Sequence, residues 1–246
     1  SVSLNGVLQS SYTPSGSPSI YPTKMSINTT AGFSIISYTG SSNTTLPHGL
    51  SSAPKMVIIK RRNSAAQWAV WHTGLTSTQY YLNLDDSGAQ ADYGSTFISP
   101  GSDVITLDAS SSLLNNTGDT YICYAFADID GYSKFSIYSG NATTSTPKDG
   151  PFVYLGFKPS LIIIKSTSGA GSGSNDQGHW HMFDNARSTG NPSKQELFAN
   201  TVGSEGTPGN ERIDFTANGF KIRDQYDCNG SGRDYIYAAW AASPIA

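Results

Sequence analysis

Pro54-Lys55-Met56-Val57-Ile58-Ile59-Lys60 recurs as Pro159-Ser160-Leu161-Ile162-Ile163-Ile164-Lys165, with the proline and the lysine in register 105 positions apart. Each run is apolar over four residues, opens on a proline that donates no ladder hydrogen bond, and closes on a charge. That pattern predicts a central strand covered on both faces. Working outward, Asn115-Asn116-Thr117-Gly118 followed by Tyr121-Ile122-Cys123-Tyr124-Ala125-Phe126-Ala127 is echoed by Asn229-Gly230-Ser231-Gly232 followed by Tyr235-Ile236-Tyr237-Ala238-Ala239-Trp240-Ala241. A turn feeds a strand both times. Phe33-Ser34-Ile35 with Tyr38-Thr39-Gly40 resembles Phe135-Ser136-Ile137 with Tyr138-Ser139-Gly140, and Trp68 and Trp71 correspond to Trp180 and Phe183.

Two copies make a tandem pair, since a solenoid needs about three or more repeats. The expected organisation is an extended N-terminal arm or linker over 1–30, a first module over 31–130 and a second over 131–246. Pro14, Pro18 and Pro22 in the arm break any sustained period. Gly, Ser, Thr and Asn supply 99 of the 246 residues, and charged residues only 13%, against about 25% in ordinary domains. Glu occurs three times, at 196, 205 and 211, so the Glu/Lys pairs that support exposed helices are nearly missing. The fold class expected is all-β, two tandem β-sandwich domains of jelly-roll-like form after the arm. Gln195–Ala199 is the one stretch read as a helical turn. The second copy carries an insertion, Ser166 to Gly178, rich in Gly and Ser.

Net charge is −3 with a single compact basic cluster, Lys60-Arg61-Arg62, which is not the electrostatic footprint of a nucleic-acid binder. No apolar run approaches the roughly 18 residues of a membrane span, so no membrane insertion is expected. Cys123 and Cys228 form no CxxC and indicate neither a zinc site nor a disulfide framework. Asp85-Asp86 and Asp128/Asp130 lack the Gly and terminal Glu of an EF-hand loop and read as turns. No G-x-S-x-G elbow is present; no catalytic residue, metal or cofactor is expected.

Six blocks, GFSIISYTG (32–40), LPHGLSSAPKMVIIKRR (46–62), GDTYICYAFADIDGYSKF (118–135), GPFVYLGFKPSLIIIK (150–165), ANGFKIR (217–223) and SGRDYIYAAWAASP (231–244), occur in order. Together they resemble a duplicated β-domain of tailed-bacteriophage structural proteins, often described as tail fibres. The resemblance implies a virion protein, assembled in the host cytoplasm, that contacts other virion proteins and a host-surface glycan or protein. It implies a short tail fibre or receptor-binding module, with a capsid decoration or head fibre anchored by the arm, or a carbohydrate-binding module, as alternatives. A homotrimer is the expected assembly.

Aromatic faces near Asn and Asp suit sugar rings, whose C–H faces stack while hydroxyls take hydrogen bonds. The candidates are His72, Tyr80 and Tyr81 in the first copy and His179, Trp180 and His181 in the second. The shared 68/71 and 180/183 spacing also suits core packing. His179 and His181 alternate about Trp180 and read as a loop edge rather than a metal pair. Arg187 pairs with Asp184 at i, i+3 and is a further candidate contact.

Overall fold

A computed structural model of the chain describes residues 1–142, 148–169, 178–206, 212–224 and 227–244. The described residues form 20 strands and no helix, so the protein is all-β. It divides into two compact units: Ser1–Asn83 with Ala91–Ile129, and Leu84–Gln90 with the chain from Asp130. Most of the Gly/Ser insertion, 170–177, lies outside the described residues.

Unit 1 contains β1 (Val2–Leu4), β2 (Val7–Gln9), β3 (Lys24–Asn28), β4 (Phe33–Thr39), β5 (Thr45–Pro47), β6 (Met56–Arg61), β7 (Trp68–His72), β8 (Tyr80–Asn83), β9 (Ala91–Asp92), β10 (Ile98–Pro100), β11 (Val104–Leu107) and β12 (Thr120–Phe126). Unit 2 contains β13 (Ser133–Ser139), β14 (Phe152–Tyr154), β15 (Leu161–Ser166), β16 (His181–Asp184), β17 (Leu197–Phe198), β18 (Ile213–Thr216), β19 (Gly219–Ile222) and β20 (Asp234–Trp240). Unit 1 has a nine-stranded sheet, β2-β1-β3-β4-β12-β6-β7-β8-β9, and a three-stranded sheet, β10-β11-β5; unit 2 has β13-β20-β15-β16-β17 and β14-β19-β18. The order β4-β12-β6-β7-β8 is thus repeated as β13-β20-β15-β16-β17, and β10-β11-β5 as β18-β19-β14.

The proline-led strands β6 and β15 are central in their sheets. Their covering is less complete than the apolar runs suggest, since Ile58 and Ile163 are only partly buried. Register extends the duplication to single residues. Val57 lies opposite Trp71 and Ile162 opposite Phe183, while Tyr38 pairs with Tyr121 and Tyr138 with Tyr235. Each tyrosine pair is stacked, with centroids 5.3 and 5.1 Å apart. Tyr38 donates its hydroxyl to Leu114 O at 2.5 Å and Tyr138 to Cys228 O at 2.8 Å. Next in sequence, Asn115 and Asn229 accept the amides of Ser41 and Asn141. The shared Asn-Gly signal therefore builds the same buried corner twice. In unit 2 one apolar cluster takes Ile162, Phe183 and Tyr235 from the larger sheet and Val153, Phe215 and Phe220 from the smaller; burying apolar faces of two sheets against each other supplies most of the folding drive.

Residues 1–30, expected to form an arm, instead supply three strands to the large sheet of unit 1. The reason is local: Lys24-Met25-Ser26-Ile27-Asn28 alternates strictly, and Met25 and Ile27 are buried while their neighbours are exposed, the period of a half-buried strand. Gln195–Ala199 is also not helical. Leu197 and Phe198 form β17, and Glu196 makes a bridge to Gly206. In unit 2 Lys165 is fully buried, donating to Gly88 O at 2.7 Å and Ser166 O at 2.8 Å. Cys123 and Cys228 are free, buried thiols, and burial pushes both well above the ordinary thiol range.

Candidate functional site

The residues expected to meet a sugar divide into buried and surface groups. His72, at the end of β7, is buried, and its Nδ1 accepts the Gly74 amide at 3.0 Å. At the matching register of β16, Asp184 accepts the Ala186 amide at 3.0 Å, so both side chains cap the turn that leaves the strand. Trp180 is 1% exposed and His181 2%, so neither presents a face to a ligand. Tyr80 and Tyr81 on β8 are partly buried, and Tyr81 stacks on Phe97 with centroids 4.4 Å apart. His179 is partly buried, lies against Phe198 at 4.7 Å, and its Nδ1 meets Asn200 Nδ2 at 2.9 Å. Burial holds its imidazole below the usual histidine range, helped by the neighbouring His181. Arg187 is fixed from both sides, by Asp184, by Met182 O at 3.1 Å and by Glu205 at 3.5 Å. Burial opposes ionisation of Asp184, but the Arg187 amide and guanidinium outweigh it and hold the carboxyl low.

The centre that composition and motifs did not announce lies inside unit 2. Arg212, just before β18, reaches Glu196 Oε1 at 3.1 Å, Asp224 Oδ1 at 3.0 Å and Asp227 Oδ2 at 3.0 Å. Its side chain is 11% exposed, and those of Glu196, Asp224 and Asp227 are 4%, 2% and 14% exposed. His181 Nδ1 faces the other Glu196 oxygen at 3.2 Å, while the buried Nε2 has no hydrogen-bond partner. Asp224 also accepts the Cys228 amide at 2.9 Å, and its carbonyl accepts Asn229 Nδ2 at 3.0 Å. The cluster is thus tied to the Tyr138 corner. Desolvation works against the Arg212 charge, but Asp224 and Glu196 overcome it and raise its pKa. Burial pushes the Asp227 carboxyl up, against the pull of His181 and Arg212.

Unit 1 has uncharged residues at three of these positions. Ala69 pairs with Asn83, and His181 with Phe198, so His181 stands where unit 1 has Ala69 and Glu196 where it has Tyr81. The amides of Phe97 and Arg212 donate to Thr78 O and Ser193 O respectively, which equates those two residues. A charge opposite an apolar residue in the aligned copies was the signal that could have revealed the cluster. Chemically the cluster offers three carboxylates, one fixed cation and a histidine with one unengaged nitrogen. The described residues contain no group of three or more His, Cys, Asp or Glu side chains arranged to hold a metal.

Compared with known proteins, the chain matches over residues 10–244 the model of a family described as a domain of unknown function, DUF7483. No curated protein and no solved structure matches it.

Proposed function

The chain belongs to the DUF7483 family, described only as a domain of unknown function, and we propose, from the sequence blocks and not from that membership, that it is a non-enzymatic structural protein of a tailed-phage virion. On this reading it is a short tail fibre or receptor-binding module that contacts a host-surface glycan or protein and binds other virion proteins. The observation that carries the reading is the run of six ordered blocks resembling tail-fibre modules, present here in a duplicated all-β chain. Each unit is taken to be a jelly-roll-like sandwich, a reading supported by the apolar cluster that both sheets of unit 2 share. A rigid sheet pair holds loops in place, and binding residues sit preferentially on such loops. The contact residues are then those at the surface, Tyr80, Tyr81, His179 and Arg187, while His72, Trp180 and His181 support the framework from inside. A homotrimer gives weak sites avidity. The rival placement is a capsid decoration or head fibre anchored by residues 1–30, of which Val2–Leu4, Val7–Gln9 and Lys24–Asn28 are strands.

The test is competition. Purified protein should block adsorption of a phage that carries it, and Tyr80→Ala with His179→Ala should weaken the block at least tenfold without shifting thermal stability by more than about 1 kcal/mol. Copy number in purified particles distinguishes the placements: tens of copies fit a tail position, whereas hundreds, matched to the major capsid protein, would move it to the capsid.

A further inference from the structure

The two units differ on one side. In unit 1 the outer edge of β4 is covered by β3, Lys24 to Asn28 running opposite Ser37 to Phe33. The nearby edge of β5 receives the amides of Ser19 and Ile20, which donate to Thr45 O at 3.1 and 2.9 Å. Ile20, Met25 and Ile27 are buried in doing so. Registers equate β4 with β13, and Leu46 with Val153, so Thr45 and Pro47 correspond to Phe152 and Tyr154. Among the described residues unit 2 has no counterpart of β3; only six residues separate Phe126, the end of β12, from Ser133, the start of β13. β13 and β14 therefore end their sheets. Where Pro47 is buried, Tyr154 is 60% exposed, with Phe152 at 48% and Ile137 at 47%. Lys134 links the two strands, its Nζ 3.5 Å from Tyr154 O and 5.8 Å from the ring centre.

The chain also carries a strand that lacks cover. β2 ends the nine-stranded sheet, and its successive residues Val7 and Leu8, on opposite faces, are 64% and 71% exposed. Natural edge strands are usually guarded by charge, proline or a bulge. Val7-Leu8-Gln9 has neither charge nor proline, and no residue from 1 to 23 has a charged side chain.

We propose that the open edge of unit 2, β13 with Phe152 and Tyr154 of β14 beside it, receives the β2 edge of a second copy of this chain by strand addition. The occupant is indicated by the molecule itself: an N-terminal segment, Ser19 to Asn28, already closes the equivalent edges of unit 1, and β2 is the N-terminal strand whose own outer edge is left over. The contact is head-to-tail, because donor and acceptor are different surfaces, so it builds a ring or a filament rather than a two-fold dimer. It does not depend on the virion reading.

The test uses the full chain and two variants at exposed positions, Leu8→Asp as a dead donor and Phe152→Ser/Tyr154→Asp as a dead acceptor, with circular dichroism confirming that both remain folded. In sedimentation across the micromolar range the unaltered chain should assemble, and each variant alone should be monomeric. An equal mixture should stop at a dimer, since it holds one working donor and one working acceptor. A monomeric unaltered chain, assembly that survives either variant, or a mixture that stays monomeric would each overturn the proposal. On the unaltered chain, hydrogen exchange should slow at Val7–Gln9 and at residues 136–139 as concentration rises; unchanged exchange at both places would likewise overturn it.

Discussion

In unit 1 Tyr81 lies on Phe97 with ring centroids 4.4 Å apart; at the matching register of unit 2 Glu196 holds Arg212 at 3.1 Å. The strand order around both pairs is the same, so the backbone accommodates an aromatic stack or an ion pair at one position. The energetics differ. An aromatic stack needs area and geometry alone. A buried ion pair must recover the desolvation of each charge, and well-packed apolar residues often do as well or better. Unit 2 goes further, setting three carboxylates and a histidine about one guanidinium. Unit 1 shows that the fold does not require this cluster.

The largest effect should come from removing the one cation. Arg212→Leu leaves Glu196, Asp224 and Asp227 buried without it, and unit 2 should lose about 3–5 kcal/mol. Hydrogen exchange of β16 and β20 in the full chain reads this, with β7 and β12 of unit 1 as the internal control. Rebuilding unit 2 on the pattern of unit 1 should have the opposite sign. His181→Ala, Glu196→Tyr and Arg212→Phe combined with Asp224→Asn, which keeps an oxygen for the Cys228 amide, and Asp227→Asn should be neutral or stabilising by up to about 4 kcal/mol. A combined variant no more stable than Arg212→Leu would show that the two units are not interchangeable at this position.

The sequence carried the repeat because its anchors are residues of low tolerance: a strand-opening proline, a closing lysine, and an Asn-Gly turn ahead of a tyrosine. Trp68 and Trp180 could be matched from sequence, but which matched residues face inward could not, and Trp180 and His181 prove to be core. Lys24–Asn28 was readable by its alternation, yet Pro22 and the Ser/Thr-rich flanks hid a strand of five residues. The ionic cluster was hardest to see, since Glu196, Arg212 and Asp224 sit in separate segments and each alone resembles a solvated loop charge. Only the aligned copy, with Tyr81 and Phe97 at two of those positions, marks them as inward-facing.

Where the units agree, substitutions should agree as well. Tyr38→Phe and Tyr138→Phe remove the hydroxyls that serve Leu114 O and Cys228 O, leaving a buried carbonyl short of a donor in each unit. Each should cost about 1–2 kcal/mol, read as faster exchange in its own unit. A large effect in one unit and none in the other would mean that the corner supports the fold only once.

The smallest effect is one of sign, and it separates the units by pH. Burial raises the pKa of Asp227 in unit 2. In unit 1, hydrogen bonds from Asn116 and Asn63, with Arg61 at 2.6 Å, lower that of Asp119. The raised group favours folding most below the ordinary carboxylate value of about 3.9, and that contribution is lost as pH rises through its folded-state pKa. The lowered group does the reverse: its contribution is present above that value and is lost as pH falls through its folded-state pKa. An uncharged amide keeps the shape and drops the titration. Asp227→Asn should therefore leave unit 2 more stable than the unaltered chain near neutral pH, because Asn keeps an oxygen for Arg212, whereas Asp119→Asn should leave unit 1 less stable. Both differences should shrink as the pH is lowered to about 3, below the ordinary carboxylate value, where Asp227 is neutral and the unfolded chain takes up protons that cancel part of the Asp119 contribution. Exchange measured unit by unit at two pH values checks this, and a common sign would mean that the Arg212 pair, not desolvation, governs Asp227.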